Sequence, residues 1–179
     1  MLQRDHAALV LIDIQGKLAA RMHDKEALYR NLQILVQGAK ALELPILWLE
    51  QYPRGLGPTI PEVAELLRDQ QPLAKTCFSA SGLDAFQDTL RTSGRRQILL
   101  AGIESHICVW QTARDLLSTG HHVEIVSDAV SSRTAANKTL GLERMRQVGA
   151  EITSVEMCLF ELLKQAGSAE FKQIAALVK

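Results

Sequence analysis

Cysteine is scarce in this sequence, and the three that occur, Cys77, Cys108 and Cys158, show no Cys-x-x-Cys spacing. An odd number of cysteines without that spacing argues against a disulfide framework and against a zinc knuckle. Free thiols persist in a reducing compartment, so the cysteine pattern predicts a cytoplasmic protein. Cys77 and Cys158 are interpreted as small buried hydrophobic residues, which is a common role for free cysteine.

An excess of charge of one sign and a long apolar run are both absent. The 20 basic and 20 acidic side chains cancel, and no segment concentrates Lys and Arg, which argues against a nucleic-acid partner. No segment approaches the roughly 18 to 20 apolar residues that a membrane span needs. The residues after Met1–Asp5 lack the features of a secretory signal. The expected partner is therefore a small-molecule substrate, with no nucleic acid and no membrane.

What the sequence does contain is an alternation of short apolar runs with longer amphipathic ones. This alternation is typical of parallel strands joined by helical crossovers. Right-handed crossovers place helices on both faces of such a sheet, so the predicted fold class is α/β, a Rossmann-like three-layer α/β/α sandwich with a six-stranded, mainly parallel sheet. Since 179 residues with 47% apolar content suit one core, residues 1–179 are expected to form a single domain.

The predicted elements follow from hydrophobic periodicity and turn residues. Strands are predicted at Ala7–Ile14, Ile46–Leu49, Leu73–Cys77, Gln97–Gly102, His121–Val126 and Ala150–Thr153, and helices at Leu28–Leu42, Leu83–Leu90, Ser105–Ser118, Ala135–Gln147 and Glu170–Lys179. Gln51–Pro58 is rich in turn formers and is predicted to be a loop. No G-x-G-x-x-G follows the first strand, which argues against a dinucleotide-binding protein.

Three predicted strands end in side chains that can do chemistry. Asp13 ends the first apolar run, Lys75 ends the third, and Cys108 lies just beyond the fourth. In open α/β sheets the ligand site lies at the carboxyl ends of the strands. A sheet that brings these ends together would assemble an acid, a base and a thiol in one cleft.

Cys108 has a second, local argument for reactivity. If Ser105 caps the following helix, Cys108 lies in the first turn, where the helix dipole and free N–H groups stabilise a thiolate and can hold an oxyanion. The alternatives remain open at this point. Cys108 can be a buried structural thiol, Asp13 can tie down a loop N–H, and Lys75 can be a surface lysine on an edge strand.

Three segments resemble the signatures of the isochorismatase-like cysteine hydrolases, a superfamily that includes nicotinamidases and carbamoylsarcosine amidase. They are Leu11–Gln15, Lys75–Ser79 and Gly102–Val109, and the resemblance spans roughly residues 7 to 160. The loop after Gln51 and the segment Asp128–Arg133 are similar to the isochorismatase-domain branch found in bacteria and animals.

The resemblance implies a catalytic triad of Asp13, Lys75 and Cys108. It also implies a cis peptide between Ile103 and Glu104 and an oxyanion hole formed by the backbone N–H groups of Glu104 and Cys108. In the implied mechanism, Asp13 accepts the Cys108 proton, Lys75 stabilises the anion, and the thiolate attacks a carbonyl carbon to give a thioester-like intermediate.

Two departures from the superfamily's patterns narrow the substrate class. Nicotinamidases carry an Asp-x-His pair and a further His that hold a metal, whereas this chain has Glu50, Gln51 and Tyr52 at that place. We therefore expect no metal and no cofactor, and interpret His106, His121 and His122 as structural or solvated. True isochorismatases lack the cysteine, so its presence favours an amide or a related C–N bond.

Several further residues and two rival functions complete the hypothesis. Gln15, Tyr52, Phe78 and Trp110 are candidate pocket residues, although core packing is an equal interpretation of Phe78 and Trp110. Arg133 is interpreted as holding a loop through Asp128.

Two rival functions remain, a non-catalytic scaffold that retains the fold and a redox-responsive thiol protein. A homo-oligomer, a dimer or larger, is expected from the resemblance and from the apolar positions of the last helix.

Overall fold

A computed structural model describes all 179 residues and contains one six-stranded sheet in which every pair of neighbouring strands is parallel. The strand order is β3-β2-β1-β4-β5-β6. The six strands are β1 (Ala7–Ile12), β2 (Ile46–Gln51), β3 (Leu73–Lys75), β4 (Gln97–Ile103), β5 (His122–Ser131) and β6 (Glu151–Thr153). The predicted α/β class and six-stranded parallel sheet are therefore confirmed.

Nine α-helices connect or follow these strands. They are α1 (Gly16–Ala19), α2 (Lys25–Ala41), α3 (Pro53–Leu56), α4 (Pro61–Ala64), α5 (Asp84–Ser93), α6 (Trp110–Ser118), α7 (Ala135–Gln147), α8 (Val155–Leu163) and α9 (Ala169–Leu177). Two short 3₁₀ turns and one π-helical turn, Ser105–Val109, complete the secondary structure. None of the helices combines the length and the apolarity that crossing a membrane requires.

The sheet separates two apolar cores because successive side chains of a strand point to opposite faces. On β1, Leu9 and Leu11 pack into one core with α2, α8 and α9, whereas Val10 and Ile12 pack into the other with α5, α6 and α7. Every residue of β1 is buried, as expected for a central strand covered on both sides. The three-layer arrangement thus follows directly from the continuous apolar run of the first strand.

The strand order reverses between β1 and β4. The chain builds outward from β1 to β2 and β3, then returns to place β4 on the other side of β1. In sheets of this kind a crevice opens at the carboxyl ends of the two strands that flank the reversal, and ligands bind there. Asp13 follows β1 and Cys108 follows β4, so both lie at this crevice.

Gly102 allows β4 to approach β1 closely. Its φ of +114° lies in a region that other residues rarely adopt, and an added Cβ would overlap the carbonyl oxygen of Ile12. Ile12 is the last residue of β1 and pairs in register with Gly102. The glycine therefore sets the spacing of the two strands directly beneath the candidate site.

The element boundaries differ from the predicted ones where polar residues continue or interrupt a strand. β1 ends at Ile12 rather than Ile14 because Asp13 has a left-handed backbone with φ of +53°, and β5 continues five residues beyond Val126 to Ser131. The predicted loop after Gln51 contains the short helix α3. Helix α8 was not predicted. It begins after Ser154, whose side chain accepts a hydrogen bond from the N–H of Met157.

Candidate active site

Asp13 is fixed at the reversal point by its backbone and is almost completely buried. Its N–H donates to the carbonyl of Leu49 at 3.1 Å, and its carbonyl accepts from the N–H of Gln15 at 2.7 Å. The side chain is 1% exposed. One carboxylate oxygen, Oδ1, is buried and has no hydrogen-bond partner. An unpartnered buried carboxylate oxygen is costly unless a proton donor approaches it.

Lys75 reaches Asp13 across the end of β2. Its ammonium lies 2.7 Å from Asp13 Oδ2 and 2.6 Å from Gln51 Oε1, and it donates to the carbonyls of Cys77 and Phe78 at 3.2 and 3.1 Å. The Lys75 side chain is 0% exposed. A buried ammonium needs such partners, because an uncompensated buried charge is strongly destabilising. Lys75 is thus held in one position at the carboxyl ends of β3, β2 and β1.

Cys108 lies in the π-helical turn Ser105–Val109, directly before α6, and is 7% exposed. Its thiol is close enough to Asp13 for the two side chains to influence each other's ionisation. The structure therefore brings together all three residues that the sequence proposed. It also places Cys108 near the start of a helix, as predicted.

The turn that carries Cys108 is pressed against α7 through Gly141. A Cβ at Gly141 would lie 2.7 Å from the carbonyl carbon of Ser105 and 2.9 Å from the amide nitrogen of His106. Only a glycine permits this separation of the two backbones. Helix α7 thus supports the thiol-bearing turn from behind.

The environment of Cys108 favours the protonated form of its thiol. Burial and the negative charge of Asp13 raise the pKa of Cys108 to about 12, and the charge of Lys75 opposes this shift only in part. Burial also raises the pKa of Asp13, although the charge and hydrogen bond of Lys75 act in the opposite direction. The stabilisation of a thiolate by the helix start stays a prediction, and burial and the Asp13 carboxylate act against it.

Glu104 connects the turn to the segment that follows β5. The peptide bond between Ile103 and Glu104 is cis. Glu104 Oε2 accepts hydrogen bonds from the backbone N–H of Arg133 at 3.0 Å and from its Nε at 3.1 Å. The N–H of Glu104 itself makes no hydrogen bond within the chain. A second link joins His106 Nδ1 to Ser132 Oγ at 3.0 Å.

Two predicted roles near this turn are corrected by the structure. Ser105 does not cap a helix, because Glu104 occupies the N-cap position and the Ser105 hydroxyl is buried without a hydrogen-bond partner. Arg133 does not pair with Asp128. Its guanidinium contacts Glu104, while Asp128 Oδ1 accepts from the N–H of Val155 at 2.9 Å and thereby fixes the start of α8.

The four candidate pocket residues have different environments. Gln15 is fully buried, and its side chain bridges backbone groups of Gln51 and Gly57, so its prediction as a pocket-lining residue is wrong. Tyr52 and Phe78 are 55% and 54% exposed. The N–H of Tyr52 donates to the carbonyl of Lys75 at 2.7 Å, and the carbonyl of Phe78 accepts from the Lys75 ammonium. The ring of Trp110 lies beside two guanidinium groups on α6 and α7, those of Arg114 and Arg144.

The loop that follows β2 is held by buried hydrogen bonds. Glu50 Oε1 accepts from the N–H of Thr59 at 2.7 Å and from its hydroxyl at 2.8 Å, and Trp48 Nε1 donates to the same hydroxyl at 2.8 Å. Together with the Gln15 bridge, these contacts fix both ends of the loop. Glu50 is thus engaged in anchoring this loop.

A separate cavity of about 700 Å³ lies between α5 and α6 and contains none of the three catalytic candidates. Its lining includes Gly94, Arg95, Arg96 and His121, which precede β4 and β5, so the cavity opens toward the amino ends of these strands. The volume of a cavity alone therefore does not locate the candidate active site.

Gln51 is the site residue that sequence reasoning missed. Its amide accepts from Lys75 and donates from Nε2 to the carbonyl of Thr76 at 2.7 Å. It ends β2 at the same sheet edge as Asp13 and Lys75, so the rule that singled out those two residues would also have found Gln51. Its side chain completes an uninterrupted line of polar groups from β3 to β1.

Comparisons with known proteins show the family to which the chain belongs. Residues 7–157 match the isochorismatase domain family. The chain belongs to the isochorismatase family. Human isochorismatase domain-containing protein 2 is 39% identical over 175 residues, which cover 97% of this chain and 83% of the human protein.

Two solved structures extend the comparison. The MAR1 ribonuclease from Caenorhabditis elegans has a TM-score of 0.93 and 34% identity, with 99% of this chain and 91% of that chain covered. YcaC from Escherichia coli, described as an octameric hydrolase of unknown specificity, has a TM-score of 0.92 and 24% identity, covering 98% of this chain and 89% of that chain. The second likeness shows the fold. This isochorismatase chain thus has the fold of a hydrolase family.

Proposed function

We propose that this chain is a cysteine-dependent hydrolase that cleaves a small amide, or a related C–N bond, through an acyl-thioester on Cys108. The observation that carries the proposal is the buried pair of Asp13 and Lys75, whose ammonium and carboxylate are 2.7 Å apart beside the Cys108 thiol. Its position at the reversal of the strand order supports the same conclusion. Membership of the isochorismatase family is consistent with hydrolysis.

In the first step Asp13 removes the proton of Cys108 as the sulfur attacks the amide carbon. The unpartnered Oδ1 of Asp13 is free to take that proton. Because the pKa of Cys108 is raised to about 12, the thiol needs a base next to it rather than the bulk solvent. The Lys75 side chain, 2.7 Å from Asp13 Oδ2, offsets the negative charge that moves from the carboxylate to the sulfur.

The tetrahedral intermediate then collapses with cleavage of the C–N bond. Asp13, now protonated, donates its proton to the leaving nitrogen, so that ammonia or an amine departs and a thioester remains on Cys108. Water attacks the thioester with Asp13 as the base, the C–S bond breaks, and the thiol regains its proton. The N–H of Glu104, which has no partner within the chain, is suited to hold the oxyanion in both steps.

A ribonuclease activity is the second candidate, since the Caenorhabditis elegans relative with 34% identity is named a ribonuclease. The environment of the site favours the amide. Its nucleophile candidate is a thiol, and Lys75 is committed to Asp13, Gln51 and two carbonyl groups rather than free to hold a phosphate.

The test is a panel of small primary amides of graded size, with ammonia release as the readout. We expect the wild-type chain to hydrolyse at least one amide and Cys108→Ala to lose at least about a thousandfold in kcat/KM, as removal of a covalent nucleophile does. Cys77→Ala is the matched control and should retain activity.

A labelled single-stranded RNA is assayed in parallel with the same variants. RNA cleavage that disappears in Cys108→Ala, with no amide hydrolysed, would establish the second candidate instead. Amide hydrolysis that persists in Cys108→Ala would overturn the proposed mechanism.

A further inference from the structure

Three side chains that can ligate a metal meet at the amino ends of β5 and β6, away from the candidate active site. His122 and Glu124 are two residues apart on β5, so their side chains lie on the same face of the sheet. Glu151 begins β6 and pairs in register with Glu124. Strand geometry alone thus groups one imidazole and two carboxylates.

The distances within this group suit a single ion. His122 Nε2 lies 3.1 Å from Glu124 Oε1 and 3.9 Å from Glu151 Oε2, and one ligand atom from each residue lies within 4.8 Å of the other two. In a tetrahedral site with metal–ligand bonds of about 2.0 to 2.1 Å, ligand atoms are separated by about 3.3 Å. The observed separations bracket that value, so small side-chain rotations suffice.

The burial of one of the two carboxylates also favours a bound cation. The Glu124 side chain is 4% exposed, and its single hydrogen bond is the one from His122. A cation held between this imidazole and the two carboxylates would offset the cost of burying Glu124.

We propose that His122, Glu124 and Glu151 bind one divalent transition-metal ion, with Zn²⁺ the best match. Imidazole nitrogen and carboxylate oxygen are ligands that zinc accepts, and three protein ligands leave a fourth position for water. The ion would join the three-residue edge strand β6 to β5. Its role is structural, since the carboxyl ends of the strands carry the chemistry. The site departs from the sequence-based expectation of no metal.

Metal binding is measured by calorimetry on the full chain after chelator treatment. We expect one Zn²⁺ per chain, a higher melting temperature on its addition, and an affinity lowered by more than about tenfold in both His122→Asn and Glu151→Gln. Glu151 is 62% exposed, so its replacement leaves the fold intact. His121→Asn is the matched control, because His121 contacts Leu116 and Thr119 instead of the cluster.

Co²⁺ distinguishes this site from the cysteines. Binding at the cluster gives visible bands without a sulfur-to-cobalt charge-transfer band, and both Glu151→Gln and His122→Asn remove them. Zinc or cobalt bound with unchanged affinity in these two variants, or cobalt bound with a sulfur band, would overturn the proposal. So would the absence of any stoichiometric binding to the wild-type chain.

Discussion

Replacement of Asp13 by asparagine is expected to lower amide hydrolysis by about 10² to 10⁴-fold, the usual contribution of a general base. Asparagine keeps the shape of the side chain but cannot take a proton from Cys108. Oδ1 of Asp13 has no hydrogen-bond partner, so the substitution removes from this position only the ability to accept a proton. The measurement is kcat/KM for the amide identified by ammonia release.

The same replacement is also expected to destabilise the fold by about 3 to 5 kcal/mol, because it leaves the Lys75 ammonium buried without its counter-charge. The double variant Asp13→Asn, Lys75→Met removes both charges. It should recover part of the lost unfolding free energy in chemical denaturation while remaining as inactive as Asp13→Asn.

This pairing separates catalysis from stability. A double variant that regained activity together with stability would mean that Asp13 only compensates the buried charge of Lys75 and that neither charge is needed for catalysis. Near-normal activity of Asp13→Asn would remove the carboxylate from the mechanism altogether.

Gly102→Ala is expected to lower the unfolding free energy by at least about 3 kcal/mol, or to prevent folding. The added methyl group would overlap the carbonyl oxygen of Ile12, and the φ of +114° is itself costly for alanine. The strain falls between β1 and β4 at the site, so any folded variant should also have lower activity. Equilibrium denaturation and the amide assay measure the two effects.

Gly149→Ala is the matched control for backbone conformation. Gly149 has a φ of +102°, but a Cβ there would have no neighbour within 4 Å. Its replacement is expected to cost only the conformational penalty of about 1 to 2 kcal/mol. Equal losses of unfolding free energy in the two variants would mean that the close approach of β4 to β1 adds nothing to the cost of Gly102→Ala.

The fold could be read from the sequence because buried parallel strands leave a strong pattern. The continuous apolar run Ala7–Ile12 and the strand ending at Ile103 needed no tertiary information. Helix α8 was missed because its sequence, Val155–Leu163, is apolar on most sides and lacks the spacing of an amphipathic helix. Its start depends on Asp128, a residue distant in the chain.

The candidate site could be predicted only in part, because the contacts of its side chains depend on how the chain packs. The strand-end rule places Asp13 and Lys75 at one edge, but it does not show that Gln51 stands between them or that Lys75 makes four contacts. The local argument for Cys108 included the helix start but not burial, which raises the pKa of the thiol together with the charge of Asp13. Those depend on packing that only the folded chain defines.

Side-chain partners across loops were the least predictable feature. Arg133 was assigned to Asp128 because the two are close in sequence, yet the guanidinium lies against Glu104. Likewise, Gln15 follows the first strand and was expected in the pocket. Its side-chain oxygen accepts from the N–H of Gln51, and its Nε2 donates to the carbonyls of Gln51 and Gly57. Sequence proximity does not determine such contacts.

The central claim, that Asp13 takes the proton of Cys108, is tested most directly by the pH dependence of Cys108 alkylation with iodoacetamide. Peptide mapping by mass spectrometry reads Cys108 and the half-buried Cys77 separately in wild type and Asp13→Asn. Between the pKa of Asp13 and the pKa of about 12 of Cys108, the two residues share one proton in total. The fraction with that proton on Asp13, which holds the reactive thiolate, therefore does not change with pH.

The account predicts a flat alkylation rate for Cys108 in wild type across neutral pH. In Asp13→Asn the rate should instead rise about tenfold per pH unit until the thiol ionises. An equally steep rise for Cys108 in wild type and in Asp13→Asn would contradict the account, because it would mean that Asp13 never accepts the proton of Cys108.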